Sequence, residues 1–199
     1  VVVVDNKSES ETIQMLQEYK DNKQVKLIFN PENYGFAGGN NVGMRQAKGD
    51  YIVLLNNDVR VTPGWVERLV YHAQSSKKIG LIGPVTNSIG NEAKINIGYD
   101  PENHLELEEQ AADYTYAHWG SFRKLKNIAA FAWLKPKRIY RLIGNLDERF
   151  GVGLFEDDDY CVRVRDQGLD IICAEDSFVH HYGGASMNWN SPEYRQLFT

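Results

Sequence analysis

Apolar runs of strand length recur at residues 1–4, 25–29, 51–55, 79–82 and 171–174, and helical periodicity fills most of the gaps between them. That alternation restricts the chain to an α/β architecture, because strands that return in the same direction need a long crossover, usually a helix. The expectation is a mostly parallel central sheet with helices on both faces. Ile13, Leu16 and Tyr19, three apart after Ser8, predict the first helix. A second is expected from near Phe36 to Gly49, glycine being favoured just past a helix end. Thr62-Pro63 reads as an N-cap followed by proline at the first helical position, with Trp65, Val66, Leu69, Val70 and Ala73 as the buried stripe.

At 199 residues the chain has the length of one well-cored domain. The least regular part is 86–127, which mixes Gly, Asn and Pro with the acidic patch Glu106, Glu108 and Glu109. It reads as a long excursion, and such excursions are often lids or binding elements. A net charge of -5 argues against a nucleic-acid partner. Cys161 and Cys173 make no disulfide framework, so a reducing compartment, the cytoplasm, is expected. No apolar run approaches 18 residues, so no membrane span is expected in this segment. The chain opens directly on the strand "VVVVD" and reads as a piece of a longer polypeptide, whose other parts could hold it at the inner membrane.

The strand "YIVLL" reads as buried on both faces and runs straight into Asn56, Asn57 and Asp58. Asn and Asp are ordinary turn residues. In an open α/β sheet, however, parallel strands deliver their carboxyl ends to one edge, where ligands bind. Asp5 and Asp58 should therefore share a rim with the turn into "GFAGGNN", where Gly35, Gly38 and Gly39 free the backbone amides for an anionic or nucleotide ligand. The glycine order matches neither the dinucleotide nor the P-loop fingerprint. Later, Glu156, Asp157, Asp158 and Asp159 open a helix in "FEDDDYCVRVRDQG". The helix dipole accounts for one or two of them; four in a row repel, and two in a cleft beside a cation is the sharper reading. Asp58 with a histidine from His180-His181 is a mixed O/N donor set suited to Mn²⁺ or Mg²⁺.

The stretches "VVVVDNKS", "NPENYGFAGGNNVGMRQAKGDYIVLLNNDVRVTPGW", "IGPVTN", "GNLDERFGVGLFEDDDYCVR" and "FVHHYGGAS" stand in the order found in a known family. Together they resemble the inverting glycosyltransferases of family 2 (GT2) with the GT-A nucleotide-sugar fold, especially the bacterial rhamnosyltransferase-like branch. The resemblance implies that Asp5, Gly35, Phe36, Asn40 and Asn57 contact the donor nucleotide. It implies that Asp58 and His181 (or His180) hold a divalent cation, Mn²⁺ or Mg²⁺. Here Asn56 stands where the family's D-x-D motif has its first Asp. It makes Asp157 the catalytic base, Glu156 its neighbour and Asp159 a supporting carboxylate. The implied donor is a UDP-, dTDP- or GDP-linked sugar, and the implied acceptor is a glycan, a lipid-linked sugar or a protein. The family's domain normally opens with one more strand and helix, so the base pocket is expected to lack a wall.

Three rival readings compete: a non-catalytic nucleotide-sugar or glycan-binding relative, a sugar-1-phosphate nucleotidyltransferase and a Rossmann oxidoreductase. The intact "FEDDD" disfavours the first, and the missing glycine motifs disfavour the other two. For acceptor recognition the aromatic candidates are Tyr114, Tyr116, Trp119, Phe131 and Trp133, with 86–127 expected on the acceptor side of the cleft. Phe131 and Trp133 lie on the apolar run "IAAFAWL", where period-2 alternation puts them on one face.

Overall fold

A computed structural model describes residues 1–151 and 153–183, and the statements below concern those residues. The chain runs β1 (Val2–Asp5), α1 (Ser10–Gln17), β2 (Lys26–Phe29), α2 (Gly35–Gln46), β3 (Tyr51–Leu55), β4 (Val59–Val61), α3 (Trp65–Ser75) and β5 (Ile79–Val85). It continues through α4 (His104–Ala117), β6 (Phe122–Leu125), β7 (Ala132–Pro136), α5 (Lys137–Ile143), a 3₁₀ turn at Glu148–Phe150, α6 (Glu156–Asp166) and β8 (Asp170–His181).

The main sheet has the order β3-β7-β5-β8-β4, with β6 also on β8. β8 lies parallel to β5, and β7 is antiparallel to both β3 and β5. β3, β5 and β8 therefore point the same way, and their carboxyl ends form one edge. The twelve-residue β8 has room for two partners in succession: Ile171–Ala174 pair with β6, and Val179–His181 pair with β4. β1 and β2 form a separate parallel pair. Helix α2 joins the two sheets. A Cβ at Gly43 would stand 3.3 Å from Val4 of β1, while Ala37 and Met44 enter the core beside Ile52 and Leu54.

Both faces of the main sheet are covered. Trp133, Leu81 and Ile171 face Tyr160 and Val164 of α6 on one side; Ile82, Leu134 and Ile172 face Leu69 and Ala73 of α3 on the other. Each fully buried Leu or Ile among them contributes about 1.5–3 kcal/mol relative to an exposed one. The stripe expected on α3 is thus the observed one.

Four local expectations need correction. Thr62 does not cap α3: its hydroxyl donates to Phe178 O, and Gly64 at φ 80° takes the N-cap position. α2 stops at Gln46, short of Gly49. β3 is an edge strand, so it is half-buried in alternation and Leu55 is 45% exposed. Phe131 and Trp133 do not share a face: Ala130 and Phe131 form a turn, which breaks the alternation, and the two rings enter different core clusters. The 86–127 excursion is also more regular than its composition suggests, for it contains α4 and β6. Asn103 caps α4 by accepting from Glu106 N.

Candidate active site

The edge formed by β3, β5 and β8 gathers the polar residues that follow those strands. Asp58 lies just past β3 and is 8% exposed; Tyr182 N donates to its backbone oxygen, and His181 pairs with Val59 of β4. This brings His181 Nε2 to 3.4 Å from Asp58 Oδ1. His181 is held on several sides. Asn87, just past β5, accepts from its backbone N–H and donates to its backbone C=O. Its Nδ1 lies 2.9 Å from Ser88 O, and the Phe131 ring stacks on it at 4.9 Å.

That arrangement fixes the tautomer. A carbonyl cannot donate, so Nδ1 must carry the hydrogen facing Ser88 O. A neutral His181 then presents the Nε2 lone pair to Asp58 Oδ1, a buried oxygen with no hydrogen-bond partner. Two lone pairs facing each other repel; a proton on Nε2, which would make the contact an ion pair, or a cation bound by both atoms removes the conflict. The pair therefore fits an O/N divalent-metal half-site. No cluster of three metal-binding side chains occurs among the described residues. Mg²⁺ and Mn²⁺ sites commonly complete their shells with water and substrate phosphates. His180 points elsewhere. Its Nδ1 meets Tyr99 OH at 2.7 Å, Tyr182 packs edge-on against it, and burial lowers its pKa.

The acidic helix adjoins this pair through two consecutive residues. Ala130 N donates to Asp157 Oδ2 at 3.3 Å, while Phe131 stacks on His181 and accepts from Asn56 N through its carbonyl. Adjacent Cα atoms are only about 3.8 Å apart, so one short turn contacts both Asp157 and His181, the neighbour of Asp58. Asp157 also accepts from Asp158 N, and burial raises its pKa. Glu156 is 5% exposed, its Oε2 has no partner, and burial pushes its pKa up to about 7. Asp158 accepts from Asn127, and Asp159 is paired with Arg163 one turn along the helix. Leu154 and Phe155, at φ 77° and 73°, lead into α6 through the left-handed region. For non-glycine residues that conformation costs on the order of 1–3 kcal/mol each and is found disproportionately at functional sites.

On the other side, α2 begins at Gly35, φ 69°, at the end of the β1–β2 pair. Asn6 ties this corner together: its amide donates to Asn33 Oδ1 and Gly35 O, and its oxygen accepts from Asn30 and Tyr34 N. A Cβ at Gly39 would stand a tight 3.2 Å from the Asn6 amide, which would have to shift. Asp5 is 5% exposed and accepts from Ser8 N. Asn40 donates back to Phe36 O, and Asn57 is exposed. Asn41 bonds to Leu146 O and Glu148, and Phe36 Cβ lies 3.7 Å from where a Cβ at Gly153 would be. The start of α2 thus touches the segment that leads into α6. No hydrogen bond or ion pair joins Asp5 directly to Asp58 among the described residues.

Sequence reasoning missed Asn6, Asn87 and Ser88, which position the site through backbone groups. Asn87 stood inside the quoted "IGPVTN", and Asn6 followed Asp5 directly, so each was adjacent to a recognised signal. The last three residues of "FVHHYGGAS" lie outside the described residues.

The fold is the GT-A fold of nucleotide-sugar glycosyltransferases. The structure superimposes on GalNAc-T7 with UDP, GalNAc and Mn²⁺ at a TM-score of 0.68, 16% identity, over 90% of this chain and 37% of that one. It superimposes on the mannosyltransferase PcManGT from Pyrobaculum calidifontis, in complex with GDP-Man and Mn²⁺, at 0.62 and 16% identity, over 91% and 47%. The family profile described as "Glycosyl transferase family 2" matches residues 1–131, and the chain belongs to that family. Its relatives include the O-antigen biosynthesis protein RfbC of Myxococcus xanthus, 27% identical over 91% of this chain. Another is the low-salt glycan biosynthesis hexosyltransferase Agl10 of Haloferax volcanii, 24% identical over 85%. The chain spans 15% of the first relative and 54% of the second. No helix among the described residues is long and apolar enough to cross a membrane.

Proposed function

We propose that the protein transfers a sugar from a nucleotide-diphosphate donor to an acceptor hydroxyl with inversion, assisted by a divalent cation. The observation that carries this reading is the turn at Ala130-Phe131, which contacts Asp157 with one residue and His181 with the next. That shared turn supports reading Asp157 as the base and Asp58 with His181 as a neighbouring metal half-site. Asp58 and His181 would hold Mn²⁺ or Mg²⁺, which neutralises the charge that develops on a leaving diphosphate.

The chain's own groups supply the rest. Asp157 takes the acceptor hydroxyl's proton as the acceptor oxygen forms its bond to the anomeric carbon and the bond to the donor phosphate breaks. Burial makes Asp157 a better base than an exposed carboxylate, and two amide hydrogen bonds aim it. With no enzymic nucleophile in this scheme, the single displacement inverts the sugar. Asp159 with Arg163 steadies the helix. The start of α2 and Asp5 bind the nucleotide, with Gly35, Phe36, Asn40 and Asn57 beside it. Neighbouring structures that hold UDP or GDP-Man with Mn²⁺ support the donor class. The test is release of nucleoside diphosphate from a panel of UDP-, dTDP- and GDP-sugars by the whole protein, with Mn²⁺, Mg²⁺ or chelator. Absence of release from every donor would leave a binding protein rather than an enzyme.

A further inference from the structure

A groove of about 270 Å³ opens between α3 and α4, away from the carboxylates. Its walls carry Trp119 and Tyr116, which are 60% and 81% exposed. Leaving two large aromatic rings in water forgoes the burial that normally holds them. The groove's aromatic wall is nevertheless tied down. The Arg68 guanidinium lies 3.1 Å from the centre of the Trp119 ring and fixes the indole. The next residue, Gly120, donates its N–H to Asp176 Oδ2, whose other oxygen is 2.7 Å from His72 Nε2. Asp176 is 2% exposed, so this anchor is buried and the aromatic wall stands on it.

The lining chemistry is that of a neutral, hydroxyl-bearing ring. Aromatic faces meet its C–H surface; Thr115 Oγ1, which donates to Ala112 O, can accept from its hydroxyls, and the guanidinium edge of Arg68 can donate to them. The one lining carboxylate, Asp176, is committed to its buried partners and does not draw a cation, while the Arg68 charge lies over the Trp119 face with its edge N–H groups free to donate. The volume suits a ring or two and is too small for a peptide helix. Position matters as well. Thr62 on the groove's rim follows Asp58 by four residues along β4, roughly 13 Å of extended chain.

We infer that this groove is a second sugar-binding subsite, taking a pyranose unit of the acceptor glycan a few units away from the hydroxyl that is glycosylated. The inference rests on the transferase reading above for the nature of its ligand, but not for its test. The full chain, ¹⁵N-labelled and without donor or metal, is titrated with methyl glycosides and linear tetrasaccharides of glucose, mannose, galactose, N-acetylglucosamine and rhamnose. The Trp119 indole N–H is followed by NMR. At least one tetrasaccharide should shift it saturably and bind more tightly than its methyl glycoside. Trp119→Ala should weaken that binding by about tenfold or more, read on other groove resonances, and Trp119→Phe should restore most of it. Ala112→Leu, which adds bulk at the groove without removing a packed ring, should weaken it to a similar degree. No Trp119 response to any of these sugars up to about 50 mM, well past the millimolar range, would overturn the subsite. So would binding left intact by both Trp119→Ala and Ala112→Leu. Nucleoside diphosphate release without a Trp119 response would leave the transferase reading standing and remove the subsite alone. A Trp119 response in a protein that releases no diphosphate would do the reverse.

Discussion

Apart from Arg123 Nε and Arg163 Nη2, which lie beside carboxylates, the buried polar atoms without hydrogen-bond partners among the described residues fall in two regions with different meanings. At the rim they are Asp58 Oδ1, Glu156 Oε2 and His180 Nε2. In the core, between β7 and α6, they are Lys135 Nζ, Trp133 Nε1 and Tyr160 OH. The rim atoms stand at strand and helix ends, at the edge where the donor is proposed to bind. Lys135 sits mid-strand opposite Ile52, fully buried, with its ammonium position 4.0 Å over the Tyr160 ring. Burial, with the Arg163 charge second, pulls its pKa down to about 7. An unsatisfied group costs stability in either place. At the rim the proposed cation and donor would offset that cost; in the core no ligand is proposed to do so. Substitutions should therefore separate the regions: at the rim, function falls while the fold holds; in the core, the fold gains.

The largest effect expected is at the rim. Asp157→Asn keeps the shape and the Ala130 N–H as a donor to the remaining oxygen but removes the base. Turnover should fall by about 10²–10⁴-fold with donor affinity unchanged. The check is steady-state diphosphate release alongside calorimetric donor binding. Near-normal turnover would transfer the base role to another carboxylate and undo the contrast on its functional side.

Lys135→Met comes next and tests the core. Replacing a buried, unpaired amine by a thioether of similar length should stabilise the protein by about 1–4 kcal/mol at pH 7 and leave turnover within a few-fold. The sign with pH is definite. Between about pH 7 and the ordinary lysine value near 10.5, the folded state has lost a proton that the unfolded state keeps, so wild-type stability rises with pH across that window. The advantage of the methionine should thus be full at pH 7 and below and fade towards pH 10. Urea melts at several pH values measure it. A destabilised Lys135→Met protein would mean that the amine has a partner, and the two regions would no longer differ in kind.

A smaller effect is expected for Asp58→Asn. With an intact half-site, Mn²⁺ should tighten nucleoside diphosphate binding by about 10–100-fold. The variant should bind the diphosphate equally with and without Mn²⁺. His181→Ala should behave the same way. His180→Ala should keep the Mn²⁺ effect, since His180 is turned towards Tyr99. A persistent Mn²⁺ effect in both Asp58→Asn and His181→Ala would remove the metal from this pair.

Much of the rim was legible because it lies where the strand pattern ends. The runs at 51–55, 79–82 and 171–174 became β3, β5 and β8, and their common direction gathered Asp58, Asn87 and His181 at one edge. What could not be read works through the backbone or through distant contacts. Asn87 acts on His181 from 94 residues away by bonding both of its backbone groups. Thr62 looked like a cap, but a carbonyl of β8 took its hydroxyl. α4 was obscured because its buried face is narrow, Leu107 and Ala111, within a run of Glu and Tyr. Lys135 in the short strand β7 carries no local sign that it is buried. The amphipathic pattern of α1 was real as a helix but buries no residue fully, since the pattern says nothing about whether a neighbour covers it.

Glu156 lies between the two regions and gives the smallest and most diagnostic effect. It opens α6 at the rim, yet it is as buried as the core residues, and burial moves its pKa from the ordinary 4.5 to about 7. From about pH 4.5 to 7 the folded state therefore holds a proton that the unfolded state has released. Stability from this group is full below that window and is lost as pH rises through it. The full shift of 2.5 would correspond to about 3 kcal/mol, and partial hydration at the helix start should reduce the slope to about 1–2 kcal/mol across the window. The window stops about where that of Lys135 begins, so the combined contribution of these two groups to wild-type stability should be lowest near pH 7. Glu156→Gln should flatten the acid side of that minimum and leave the alkaline side, while Lys135→Met should do the opposite. Loss of both slopes in either single variant would mean that the carboxyl and the amine titrate as one coupled pair, joining the rim to the core. If the slopes separate, turnover of Glu156→Gln decides which region it serves. A drop in turnover with a changed pH profile would tie it to Asp157, and an unchanged profile would leave it as packing.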